Sequence, residues 1–269
     1  MEVKYSMAKA KYRKNAIIKP SINGILGIIG FSTRIPIKRF VTLEEMQGNV
    51  FIWPYVGLLI GVIGAIIAYI VYDLLSLPLI LSAAIVYSFL IWFTGFNHID
   101  GVMDLGDGLM VHGDHQKRLN VMRDSMVGTG GIATFFIVAI ITIAALASVP
   151  VNEIIQTVIL MELCAKTGMI TTMEFGSTDD TGIARDIKKG IDYKVLSINI
   201  IIAFIIAYLL LGEIGVISLL ATVIFALYLA MVAEKNFGCV TGDMLGASNE
   251  IGRAVALIFV VLNMSIAIL

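Results

Sequence analysis

The feature that most constrains this chain is a series of long apolar runs. They lie at 50–72, 77–97, 130–149, 154–173, 194–211, 214–233 and 251–269. A helix needs roughly 17–25 apolar residues to cross the hydrocarbon core of a bilayer. In lipid the backbone must satisfy its own hydrogen bonds, so such runs fold as helices. The sequence therefore predicts an all-α fold, a polytopic membrane helical bundle of about seven transmembrane helices. Composition excludes a soluble domain: 58% of the 269 residues are hydrophobic and 14% are charged, where soluble domains carry about 25%. The net charge of −1 is silent about partners.

Charge placement sets direction. The connectors 73–76, 150–153 and 212–213 are very short and hold no Lys or Arg, so the spans they join should be helical hairpins. Of the 19 Lys and Arg, nine precede residue 40, three lie in 98–129, four in 174–194, two flank the last loop, and only Lys166 sits inside a span. The positive-inside rule then places the N-terminus and all three long loops in the cytoplasm, with the chain in the cell membrane. Residues 21–33 are too short for an eighth span, and Arg34, Lys38 and Arg39 follow them on the same side, so they read as an interfacial or re-entrant helix. Residues 1–20 read as a basic arm near anionic headgroups, and 21–269 as one integral membrane domain. No cleaved signal peptide is expected. Cys164 and Cys239 have no metal spacing and read as small apolar residues.

The densest chemistry is His98-Ile-Asp-Gly-Val-Met-Asp-Leu-Gly-Asp-Gly108, directly after the second run. On a helix, spacings of four and three put Asp100, Asp104 and Asp107 on one face. Such carboxylates repel unless a cation joins them, and Mg²⁺ shared with substrate phosphates suits an oxygen-only set. That combination suggests phosphoryl transfer at a membrane surface, with basic groups holding phosphate charge. A merely solvated loop would mix Lys and Glu; here all five acids of 98–129 are Asp, interleaved with Gly101, Gly106 and Gly108.

Other signals are weaker alone. His98 points away from Asp100 on a continuous helix, and could still act as base or phosphate donor if the helix begins near residue 99. Val127-Gly-Thr-Gly-Gly131 opens the third span and suits an anion at a helix N-terminus. Glu162 and Lys166, at i and i+4 within the fourth span, should pair, because charges buried in a membrane need partners. Thr241-Gly-Asp243 reads either as a turn or as a further ligand from another segment.

These residues resemble the cobalamin-5′-phosphate synthase family, also called adenosylcobinamide-GDP ribazoletransferase. The matching blocks are Phe31-Ser-Thr-Arg-Ile-Pro36, Pro54-Tyr-Val-Gly-Leu-Leu-Ile-Gly61, His98 to Gly108 with Met122 to Gly131, Lys189-Gly-Ile-Asp192, and Thr241 to Ala247. They cover nearly the whole chain beyond the basic arm. The resemblance implies attack by an α-ribazole hydroxyl, or that of its 5′-phosphate, on adenosylcobinamide-GDP, with release of GMP and a requirement for Mg²⁺. It implies Asp100, Asp104 and Asp107 as metal ligands, Arg34, Arg123, Lys166 and Lys189 as diphosphate contacts, and Asp124, Asp243 or His98 as the base. The expected partners are those small molecules and the lipid bilayer, not nucleic acid; a homo-oligomer is compatible with the sequence. Two other readings compete. CDP-alcohol phosphotransferases also carry membrane aspartates, but their second motif element fails where Asp104 follows Asp100-Gly-Val-Met. A cation transporter would spread its acids along a path through the bilayer, whereas these gather at one face.

Overall fold

Caps, prolines and glycines cut the apolar runs into helices. The computed structural model describes residues 20–178 and 183–266; the basic arm through residue 19 and the end of the last predicted span lie outside them. Among the described residues the backbone is almost entirely helical. A short amphipathic start comprises α1 (Ile22–Ser32), capped by Ser21, and α2 (Leu43–Gln47), closed by a Thr42–Glu45 capping box. Then come α3 (Trp53–Ala68), α4 (Leu79–Phe93), α5 (Asn97–Met110), α6 (His115–Met122), α7 (Thr129–Ala147) and α8 (Ile154–Phe175). The chain ends with α9 (Ile183–Lys188), α10 (Tyr193–Phe237) and α11 (Gly242–Ile266). At 11 residues α1 is too short to span, in line with its exclusion from the crossing set.

The expected count of seven separate spans is not reproduced. Five helical stretches are long and apolar enough to cross, or six if α4 and α5 count together. One of the five, α10, is counted once although its 45 residues include non-helical Leu211 and Gly212, at the connector expected between the runs 194–211 and 214–233. Unbroken, 45 residues would measure about 68 Å at 1.5 Å each, over twice the core of about 30 Å. Gly212 takes φ +57 and turns the chain. Beyond the turn, a Cβ on Gly215 would lie 2.1 Å from the Ala207 carbonyl oxygen, so the two arms run side by side as a hairpin. The correction concerns 77–97. Gly95 and Phe96 both adopt positive φ, and α5 leaves α4 at 93°. We therefore read α5, with three aspartates in 14 residues, as lying beyond the membrane-crossing helices rather than continuing a span.

The centre of the bundle is α8. Every residue from Leu160 to Glu174 is buried, polar ones included, and α3, α10 and α11 pack around it. Helices in lipid gain little from apolar burial against one another; close backbone packing through small residues holds them. Gly57 and Gly61 of α3 supply that contact, facing the Glu162 carbonyl and the Ile159 backbone of α8. The most apolar long helix, α10, is the least buried, as a lipid-facing helix should be. α5 packs against α11 and α7. A Cβ on Gly101 would sit 2.1 Å from the Asp243 carbonyl oxygen, so only glycine lets the start of α11 come this close to α5.

Candidate functional site

The bend at Gly95–Phe96 decides what α5 presents. Because the helix begins at Asn97, His98 falls in its first turn and is buried, while Asp100 is exposed. The helix runs on through its glycines, so Asp100, Asp104 and Asp107 share one continuous helix. They do different things. Asp107 accepts hydrogen bonds from the Gly128 and Gly131 N–H groups, at 2.7 and 2.8 Å. The anion held by the glycine-rich start of α7 is thus the protein's own carboxylate, which satisfies the free N–H groups and the helix dipole. Asp104 is pushed up to about 7 by burial first, then by the charges of Asp100, Asp243 and Asp107. Its shift reports four carboxylates sharing one field. Asp243 joins the set through the Gly101 contact, and the Arg123 guanidinium acts on it. No three His, Cys, Asp or Glu side chains among the described residues converge into a ready-made metal cage.

Behind this cluster lies a buried polar network. Lys166, 1% exposed, places Nζ 3.1 Å from His98 Nε2, and Asn249 Nδ2 is 3.2 Å from His98 Nδ1. The expected Glu162–Lys166 pair is corrected here. Glu162 instead accepts from Arg253 Nε at 2.6 Å, and Arg253 Nη1 donates to Glu250 at 2.5 Å. Tyr87 donates its hydroxyl to the same Glu250 oxygen at 2.8 Å. Arg253 wins because its planar fork can serve two carboxylates at once, which an ammonium on α8 itself cannot match. Two acids and two bases then balance where no water screens them. The Glu162–Arg253 pairing, and Tyr87 with it, were not anticipated. The signal was present: Glu250 and Arg253 lie at i and i+3 at the start of a predicted span, where a buried charge needs a partner.

The remaining candidates scatter. Arg34 is exposed and stacks over Trp92, 5.1 Å from its ring centre. Asp124 is exposed and accepts from the Met126 N–H in a local turn. Lys189 pairs with Asp186 at 2.6 Å. Its neighbour Lys188 donates to the Glu174 carbonyl at 3.0 Å and to that of Gly176, closing the end of α8.

Comparison with known proteins gives this geometry a context. A family model described as cobalamin-5-phosphate synthase matches residues 24–261. The chain is 32% identical over 260 residues to the adenosylcobinamide-GDP ribazoletransferase of Methanosarcina mazei, covering 89% of this chain and 91% of that protein. The protein of the same name from Methanocella arvoryzae is 31% identical over 261 residues, covering 88% and 94%. That from Acetivibrio thermocellus is 30% identical over 240 residues, covering 87% and 95%. No solved structure matches significantly.

Proposed function

This chain belongs to the cobalamin-5-phosphate synthase family, and on that premise we propose that it joins α-ribazole, or its 5′-phosphate, to adenosylcobinamide-GDP with release of GMP. In this reaction a ribazole hydroxyl oxygen bonds to the phosphorus on the cobinamide side of the diphosphate. The bond from that phosphorus to the oxygen shared with GMP breaks, and GMP leaves with the electron pair. The hydroxyl proton passes to a base.

The observation that carries the reading is the carboxylate cluster where α5 meets the start of α11. An all-oxygen donor set, crowded enough to raise Asp104, fits Mg²⁺, which typically takes one or two carboxylates and completes its shell with water and substrate phosphate. Asp100 and Asp104 would hold it, while Asp107 is committed to α7. Bound there, Mg²⁺ would neutralise the diphosphate and the departing GMP. Arg123 adds positive charge near Asp243 and would contact the diphosphate. Of the three residues offered as base, Asp243 is the one whose charge acts within the cluster; Asp124 has one oxygen bonded to the Met126 N–H, and both His98 nitrogens face partners. The charge distribution along the sequence puts this end of the bundle in the cytoplasm.

The test is GMP release from adenosylcobinamide-GDP by purified protein. Chelation should abolish it and Mg²⁺ restore it. Asp100→Asn and Asp104→Asn should each lower turnover roughly 100-fold or more at normal protein level, the scale of losing a metal contact. Near-normal turnover in both variants removes the cluster from the chemistry.

A further inference from the structure

A cleft of about 520 Å³ opens where the start of α6 meets the end of α10. Pockets for small-molecule ligands run to about 300–1,000 Å³, so a nucleoside fits. Three links tie the cleft to the carboxylate cluster. Arg118, which lines it, donates through Nη1 to the carbonyls of Gly108 and Leu109 at 3.1 and 3.0 Å, directly after Asp107 in the chain. A Cβ on Gly108 would meet both Met122 of α6 and Phe237 of α10 at 2.8 Å, so α5, α6 and α10 close together there. Third, α6 runs from the cleft at His115 to its end at Arg123, whose charge acts on Asp243. Its 8 residues rise about 12 Å, close to the length of a mononucleotide from phosphate to base.

The cleft has a fixed floor and an excess of acceptors. The His115 ring lies on the end of α10, with Nε2 3.2 Å from the Lys235 carbonyl. Gln116 donates Nε2 to Asn120, Asn236 donates Nδ2 to the Val232 carbonyl, and Asp114 takes the Lys117 N–H on Oδ1. Each therefore keeps one oxygen, Oε1, Oδ1 and Oδ2 in turn, that can accept from a ligand. Arg118 and Lys235 add two cations.

Hydrogen-bonding sense selects the occupant. Guanine offers N1–H and a 2-amino group as donors, and O6 and N7 as acceptors. Amide and carboxylate oxygens match the donors; Arg and Lys match O6 and N7. Adenine lacks the 2-amino group, turns N1 into an acceptor and carries a donor at position 6. It would leave oxygens unpaired and set an amino group against the cations. The GDP-activated corrinoid carries both bases, one in its adenosyl group and one in its GDP, and this lining distinguishes them.

We propose that the α6–α10 cleft binds the guanosine of the GDP-activated substrate and of the departing GMP, with Asp114, Gln116 and Asn236 accepting from the base and Arg118 and Lys235 donating to it. This rests on the ribazole-transfer reading above. The experiment measures equilibrium binding of GMP, IMP and AMP to the purified full-length protein with Mg²⁺ present, in the wild type and in Gln116→Ala and Asn236→Ala. The wild type should bind GMP at least tenfold more tightly than AMP, with IMP, which lacks the 2-amino group, in between. Each variant should cut the GMP-over-AMP preference roughly 3- to 10-fold, the scale of one hydrogen bond. Equal affinity for GMP and AMP in the wild type, or a preference unaltered in both variants, overturns the proposal. The wild-type comparison decides even if a variant does not fold. GMP release without base preference removes the cleft alone; base preference without any joining of ribazole to the corrinoid removes the transfer reading and leaves the guanosine site standing.

Discussion

Arg253→Met should be among the most damaging single changes in the bundle. The Arg253 guanidinium and both its carboxylate partners have side chains with 0% exposure. The substitution keeps most of the side-chain volume, so packing changes little, but it leaves Glu162 and Glu250 as buried anions with one cation, Lys166, nearby on α8. Breaking a buried pair in this way costs about 3–5 kcal/mol, because the orphaned charge keeps its desolvation penalty. At about 1.4 kcal/mol per factor of ten, the folded fraction shifts by roughly 10²- to 10³-fold or somewhat more. The triple variant Arg253→Met, Glu162→Gln, Glu250→Gln removes both stranded carboxylates, leaves Lys166 as the one buried charge nearby, and should regain part of the loss, since neighbours in one network do not add independently. Unfolding in a fixed detergent, followed by tryptophan fluorescence, measures all three proteins side by side. If Arg253→Met unfolds with the wild type, or the triple variant is no better than the single, the paired-charge account of the core is wrong.

Three further outcomes follow from local geometry. Asp107→Ala strips both acceptors from the start of α7 and should cost about 1–2 kcal/mol in the same unfolding assay, with Asp107→Asn costing less because one acceptor oxygen remains. Gly101→Ala drives a Cβ to 2.1 Å from the Asp243 carbonyl; backbone on both sides must part, so roughly 1–3 kcal/mol of stability and most transferase activity should be lost. Gly212→Ala meets no atom within 4 Å but must hold φ +57. It should cost about 1–3 kcal/mol through backbone strain alone and leave GMP release intact.

Much of this architecture was legible in the sequence, and the failures have physical causes. Apolar length found the crossing segments, because lipid leaves the backbone no alternative to helix. Length could not reveal that 77–97 breaks at Gly95–Phe96, since a bend of two positive-φ residues leaves hydropathy unchanged. The hairpin at Gly212 was visible, because Gly-Glu interrupts an otherwise apolar run. Helical spacing puts Asp100, Asp104 and Asp107 on one face; in the structure they share the continuous helix α5, and the charges of Asp100 and Asp107 both act on Asp104. It could not show that Asp107 would bond the α7 backbone, which depends on how α5 and α7 approach. The Glu162–Lys166 expectation failed for a similar reason: i,i+4 spacing describes one helix, while the choice between Lys166 and Arg253 is made between α8 and α11. Hydropathy also misdirects about the centre, because in a membrane the most apolar helix faces lipid and the more polar α8 is buried.

The most direct measurement is a product balance. Purified protein is incubated with adenosylcobinamide-GDP, α-ribazole 5′-phosphate and Mg²⁺, and GMP and corrinoid are quantified together. The account predicts one GMP released for each ribazole joined to the corrinoid, with both products lost together in Asp104→Asn. Corrinoid joining without GMP, GMP without joining, or neither product from well-folded wild-type protein would contradict it.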